Sequence, residues 1–270
     1  MINDWMITKK IIYYISLVLT IIRTIKRNRK EEKYEDDTYI LCNFILPGSV
    51  CIDIGAASGR FTLVMSRLAG ESGHIYGFEP CGYSYKVLRF IVGYYRLKNV
   101  TLIAKALSDK NGTEDLTTPI KKNGKLGRSM SYLKSSNREE KCTVKRVQLT
   151  TLDDYFSKVN ISRLDFIKCD AEGAELLVFK GGKETLKRYK PVILCEINLL
   201  SSTENQNIPP KQIYNFFSEL GYEAFIVKND RLEKVNSIYI DDNYIFVHSD
   251  DKKAKEIIKL DKLKQFIPRK

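Results

Sequence analysis

Apolar positions change their period several times along the chain, and each change marks an element. "VCIDIG" (50–55) is a short apolar run ending in glycine, whereas "RFTLVMSRLAG" (60–70) spaces its apolar residues three and four apart. The first pattern predicts a buried strand and the second an amphipathic helix. The alternation then repeats, with "HIYGFEP" (74–80) as a second strand, "GYSYKVLRFIVGYYRL" (82–97) as a helix and "VTLIAKALSD" (100–109) as a third strand. "LDFIKCD" (164–170) reads as the fourth strand with a helix through Phe179, and "PVILCEI" (191–197) as the fifth with a helix from Pro210. "EAFIVKND" (223–230) and "NYIFVHSD" (243–250) close the series as an antiparallel pair. Residues 111–141, rich in Gly, Ser and Lys, interrupt it as a loop or hairpin excursion.

Strands alternating with helices predict an α/β fold, a doubly wound and mainly parallel sheet with helices on both faces. Such sheets bind ligands beyond the carboxyl ends of their strands. Here those ends carry Gly55, Glu79, Asp109, Asp170 and Glu196. The body, residues 34–249, is one domain between a hydrophobic and basic N-terminal helix (1–33) and a basic C-terminal tail (250–270).

Ile11–Ile22 contains no charge, but twelve helical residues span only ~18 Å against a bilayer core of ~30 Å. Lengthening the segment to Trp5–Ile25 encloses Lys9, Lys10 and Arg23. Three readings stay open: a helix packed on the domain, a membrane-surface helix hemmed by Arg23, Lys26, Arg27, Arg29 and Lys30, and a short single-pass anchor. No cleavable signal peptide is indicated, and the expected location is cytoplasmic, with peripheral association with an anionic membrane as a candidate.

Charge sharpens this picture. The chain of 270 residues carries +12, of which residues 1–33 hold +5 and 250–270 hold +4, leaving about +3 for the body. A nucleic-acid partner is therefore not expected, since its basic surface would surround the site. Six cysteines form no C-x-x-C pair, and Cys51, Cys169 and Cys195 fall in apolar runs as small buried hydrophobes. Two distant histidines, His74 and His248, each inside strand-like sequence, read as structural and argue against a histidine-based zinc site or a Ser-His triad.

The first two strand ends suggest a nucleoside. "DIGAASG" sets Asp53, Gly55, Ala56 and Gly59 at a strand-to-helix turn, with neither G-x-G-x-x-G nor a phosphate-loop Lys. Glu79, at the second strand end, stands where a carboxylate accepts both ribose hydroxyls. This pairing fits S-adenosylmethionine better than NAD, with Asp53 facing the methionine end and Ser108 and Asp109 near the adenine edge.

The quoted blocks "DIGAASGRFT", "GFEP", "VQLTTLDDY", "LDFIKCDAEGAELLVFKGG", "KPVILCEI" and "YIFVHSD" resemble the FkbM family of class I S-adenosylmethionine-dependent methyltransferases, over roughly Ser49–Ser249. The resemblance implies a Rossmann-like, seven-stranded sheet of order 3-2-1-4-5-7-6. It also implies methyl transfer to a hydroxyl, with a sugar of a glycan or glycolipid as the expected acceptor. The chain departs from the family pattern at Ala57, at Cys81-Gly82 and at Asn198.

Around the fourth strand end, Asp170, Glu172 and Glu175 leave three roles open. Asp170 or Glu172 can serve as a base with a raised pKa. Asp170, Glu172, Glu196 and Asn198 can supply oxygen ligands for Mg²⁺. Glu175 is assigned to helix electrostatics, where a macrodipole favours acid. Lys168, deep in the strand, reads as a structural ion-pair partner, with catalytic base as the sharper alternative. Residues 117–141, with Ser129, Met130 and Tyr132, are expected to shape the acceptor pocket. Alternative functions are RNA ribose 2'-O-methylation and a non-catalytic cofactor-binding module; oligomeric state is not legible.

Overall fold

A computed structural model describes residues 2–30, 38–120, 126–127, 130–133, 142–199, 208–260 and 262–264, with side chains in the first helix from residue 11 to 28. The chain begins with helices α1 (Ile2–Lys30) and α2 (Thr38–Phe44). The alternating part follows as β1 (Val50–Ile54), α3 (Arg60–Ala69), β2 (His74–Phe78), α4 (Gly82–Tyr94) and β3 (Val100–Ile103). Next come β4 (Ala106–Leu107), β5 (Gly112–Pro119), β6 (Tyr132–Leu133), β7 (Cys142–Thr150) and α5 (Leu152–Lys158). Then β8 (Phe166–Cys169), α6 (Glu175–Lys180), α7 (Lys183–Tyr189), β9 (Val192–Ile197) and α8 (Pro210–Glu219) resume the alternation. The described chain ends with β10 (Tyr222–Lys228), β11 (Arg231–Val235), β12 (Asp242–His248) and α9 (Lys252–Ile258).

The main sheet has the order β3-β2-β1-β8-β9-β12-β10-β11. Its first five strands pair in parallel, and the last three pairings are antiparallel. The expected strand order is therefore present, but the sheet has eight strands rather than seven and is mixed in direction. The extra strand is β11, the return arm of a hairpin. Asn229 and Asp230, at φ 51° and 61°, make the left-handed two-residue turn that reverses the chain after β10.

A second departure concerns the third strand. "VTLIAKALSD" does not run as one strand: β3 ends at Ile103, and Ala106–Leu107 cross to a separate four-stranded sheet of order β4-β7-β5-β6. That sheet is the excursion expected after residue 111, built on β5 and β7 in antiparallel register from Gly112↔Leu149 to Pro119↔Cys142.

Period-2 alternation splits the core across the main sheet. Ile52, Ile167, Cys169, Ile193 and Cys195 face the cluster containing Phe156, Phe179 and Phe217. Cys51, Phe166, Leu194 and Ile245 face the opposite cluster with Leu41, Met65 and Ala254. Leu263 belongs to that second cluster, and Asn43 receives the Lys264 N–H at 2.9 Å, so the segment after β12 lies on the domain. The N-terminal helix does so too, through Tyr13, Leu17, Ile21 and Ile25 against Tyr83, Val87 and Ile91 of α4. Among the described residues no helix is long and apolar enough to cross a membrane.

Candidate active site

The carboxyl ends of β1, β2 and β8 open into a cleft enclosing about 650 Å³, its open mouth included. The second sheet roofs it with Leu116, Ser131 and Leu133, while Phe78, Ala106 and Leu107 make apolar wall. The size and the mixture of apolar wall with a few polar groups suit a small organic ligand. From the 117–141 segment, Ser131 and Leu133 reach the cleft, whereas Met130 is 48% exposed and Tyr132 is buried outside the lining. Ser129 lies outside the described residues.

Of the expected cofactor residues, Gly55, Glu79 and Asp170 line this cleft. Gly55 has φ +73°, and a Cβ there would meet the Asp170 carbonyl oxygen at 1.9 Å. Its glycine is thus required by the close approach of the β1 and β8 ends to each other. Gly59, at φ +85°, abuts Leu88 of α4, where a Cβ would come to 2.6 Å, and so seats α4 rather than a ligand. Ala56 is 5% exposed and donates its N–H to Phe78 O at 3.0 Å. Ser108 and Asp109 do not line the cleft, because the third strand breaks before them; Lys105, Ala106 and Leu107 stand there instead. Ser108 is buried against Gly181, and Asp109 is exposed.

Glu79 is 5% exposed. Its Oε2 accepts the Ala57 N–H and its Oε1 the Cys81 N–H, both at 2.7 Å. Burial nevertheless pushes its carboxyl up to about 7, with Asp53 and Asp170 adding to the rise against those two amides. The two N–H bonds fix the carboxylate at the cleft wall and leave it lone pairs for further donors.

Asp53 is fully buried and outside the cleft lining, sealed under α3 by a 2.5 Å bond from Thr62 Oγ1, so it does not face a ligand there. It registers directly beside Lys168 on β8. Lys168, 2% exposed, donates to Asp170 Oδ2 at 3.1 Å and lies 4.8 Å from the Phe61 ring centroid. Burial acts to lower its pKa, but Asp170 and Asp53 outweigh burial and hold it above the ordinary lysine value. A lysine so held keeps its proton at neutral pH, which makes it the electrostatic partner of these carboxylates and not a base.

The turn after β8 carries a left-handed residue that is not glycine. Glu172 sits at φ +51°, a left-handed conformation uncommon for a non-glycine residue. Burial pushes its carboxyl up to about 8, helped by Asp170, Glu196 and Glu175. Glu175 is 1% exposed, and its Oε1 accepts the N–H groups of Ala171 and Gly173 at 3.0 Å each. Its assignment to helix electrostatics alone is therefore corrected: it is a buried clamp on the turn. Its own carboxyl is pushed up to about 7, burial being the main cause.

The candidate metal set does not assemble. Among the described residues no group of three or more His, Cys, Asp and Glu could hold a metal ion. Asp170 is engaged by the Lys168 ammonium, while Glu196 and Asn198 are exposed at the end of β9.

The profile of the Methyltransferase FkbM domain matches residues 53–224. No curated protein matches the chain. Among solved structures, a methyltransferase FkbM from Methylobacillus flagellatus is 14% identical at a TM-score of 0.48, over 75% of this chain and 44% of that one. This chain thus spans less than half the length of that relative. A SAM-dependent O-methyltransferase from Thermotoga maritima is 13% identical at a TM-score of 0.41, over 84% and 69% of the two chains. Aeropyrum pernix fibrillarin, bound to S-adenosyl-L-methionine, is 15% identical at 0.45, over 78% and 72%. The matched domain takes in the end of β1 from Asp53, Glu79 and the whole turn from Asp170 to Glu175, and the chain belongs to the FkbM methyltransferase family.

Proposed function

We propose that the chain transfers a methyl group from S-adenosylmethionine to a hydroxyl, most readily that of a saccharide in a glycan or glycolipid. The observation that carries this reading is that Glu79 and the Asp170–Glu172 pair line one cleft. Glu79 would hold the ribose hydroxyls, and Phe78, Ala106 and Leu107 would flank the base. When bound, the cofactor supplies an electrophilic methyl group on a sulfonium.

A neutral hydroxyl needs a base to receive its proton. Glu172, with a carboxyl near 8, is closely matched to that task at physiological pH and is held in a backbone conformation of the kind found at functional sites. Asp170, neutralised from behind by Lys168, would orient the hydroxyl. Among the described residues the lining carries three carboxylates against Lys105 as its one cation, which supports an uncharged acceptor over an RNA phosphate backbone.

Calorimetric titration with S-adenosylmethionine, followed by transfer of labelled methyl to glycan and glycolipid fractions, tests the proposal. Saturable binding and label on a saccharide hydroxyl are expected. Absence of cofactor binding would overturn the reading, and label on RNA alone would replace its acceptor.

A further inference from the structure

Helix α1 is apolar on both sides, although among the described residues only one side packs on another element. Tyr13, Leu17, Ile21 and Ile25 pack on α4. Ile11, Ile12, Ile15, Val18, Leu19 and Ile22 lie on the other side and are 42–60% exposed. A helix apolar all round is ordinarily covered all round, and a contiguous apolar patch of this kind marks a surface that meets something.

Charge identifies what it meets. Residues 11–28 contain no Asp or Glu, and the exposed apolar face is followed directly by exposed Arg23, Lys26 and Arg27. Apolar side chains ending in a cluster of cations match the layering of a bilayer surface, where acyl chains lie beneath anionic headgroups. A second copy of the chain would instead bring like charge to the same seam. The uncharged stretch is also too short to cross a bilayer, so the helix would lie in the interface.

We propose that the outward face of α1 docks on an anionic lipid bilayer. Docking stands independently of the methyl-transfer reading, but it has a consequence for it. Arg27 donates to Ser58 Oγ at 3.3 Å, next to Ala57 in the cleft lining, so the docked helix holds the cleft close to the lipid surface. Acceptors presented on lipid would then meet the site in two dimensions.

The test is co-sedimentation of the full chain with phosphatidylcholine vesicles, with and without phosphatidylglycerol, at low and high salt. Binding only to the phosphatidylglycerol vesicles, weakened by salt, is expected. Ile15→Glu with Val18→Glu, both on exposed positions, should lose at least tenfold in binding while melting as the wild type does. Arg23→Gln with Lys26→Gln should lose about fivefold per cation removed. The proposal is overturned if neither vesicle sediments the protein, if neutral vesicles bind it as well, or if the Glu variants bind unchanged. It is equally overturned if light scattering shows a dimer that the Ile15→Glu/Val18→Glu variant dissociates, since a second copy then covers the face.

Discussion

Glu175 grips the backbone on both sides of Glu172, accepting the amides of Ala171 and Gly173 through one carboxylate oxygen at 3.0 Å each. A left-handed glutamate at φ +51° persists because its neighbours are fixed in this way. The clamp is buried in a helix that begins with the clamping residue itself, so the sequence E-G-A-E encodes both the strained position and its restraint.

The clamp has a pH signature. The Glu175 carboxyl, pushed up to about 7 from its usual 4.5, retains a proton in the folded protein that the unfolded chain has lost. Stability from this group is therefore full below about pH 4.5 and is lost as pH rises to about 7, by on the order of 3 kcal/mol. His74 and His248, lowered by burial, act in the opposite sense as pH rises through 6.5. Comparing melting curves of wild type and Glu175→Gln from pH 5 to 8 isolates the effect, and the variant should lose the falling component. Parallel curves would remove Glu175 from this account.

Cofactor affinity should depend on Glu79 in the same range but with opposite sign. The ionised carboxylate is the better acceptor of ribose hydroxyls, and its pKa in the free protein is about 7. Binding of S-adenosylmethionine should strengthen about tenfold from pH 6 to pH 8, and Glu79→Ala should abolish it. Calorimetry that finds Glu79→Ala binding normally would dissociate Glu79 from the cofactor.

Turnover should rise with pH through about 8 as Glu172 ionises. Glu172→Gln is expected to flatten that rise and to slow turnover by about 10²–10⁴-fold, with cofactor affinity little changed. Asp170→Asn should also keep cofactor binding and lose turnover. A chelator should leave the rate unaltered; chelator sensitivity restored by added Mg²⁺ would revive the metal role.

Lys168 neutralises two carboxylates from inside the sheet. Lys168→Met leaves Asp53 and Asp170 without their cation and should destabilise the fold by about 3–5 kcal/mol, read by denaturant unfolding. Adding Asp170→Asn should recover part of the loss but not all, because Asp53 is buried with one oxygen unpaired. A double variant no more stable than Lys168→Met would show that the ion pair is not what Lys168 contributes.

Much of the fold was legible because period-2 and helical patterns report burial directly. The alternating strands, the antiparallel pair at the end and the cleft-lining Gly55, Glu79, Asp170 and Glu172 were all placed from such signals. The eighth strand was readable in principle from Asn229-Asp230, a dipeptide that tolerates the left-handed turn. The break between Ile103 and Ala106 was not, since "VTLIAKALSD" keeps a strand-like composition across it. Its placement depends on β7, distant in sequence, which pairs with Ala106–Leu107.

The sequence by itself determined the strand–helix alternation and the carboxylates at the strand ends through local periodicity, and the family, with the strand order that the resemblance implies, through motif. Only the tertiary structure decided what each acid does. Asp53 and Lys168, 115 residues apart, become register neighbours inside the sheet, and Glu175 turns inward to hold Glu172. Burial and the charges brought nearby set the proton affinity of each group, and both exist only once distant segments have met.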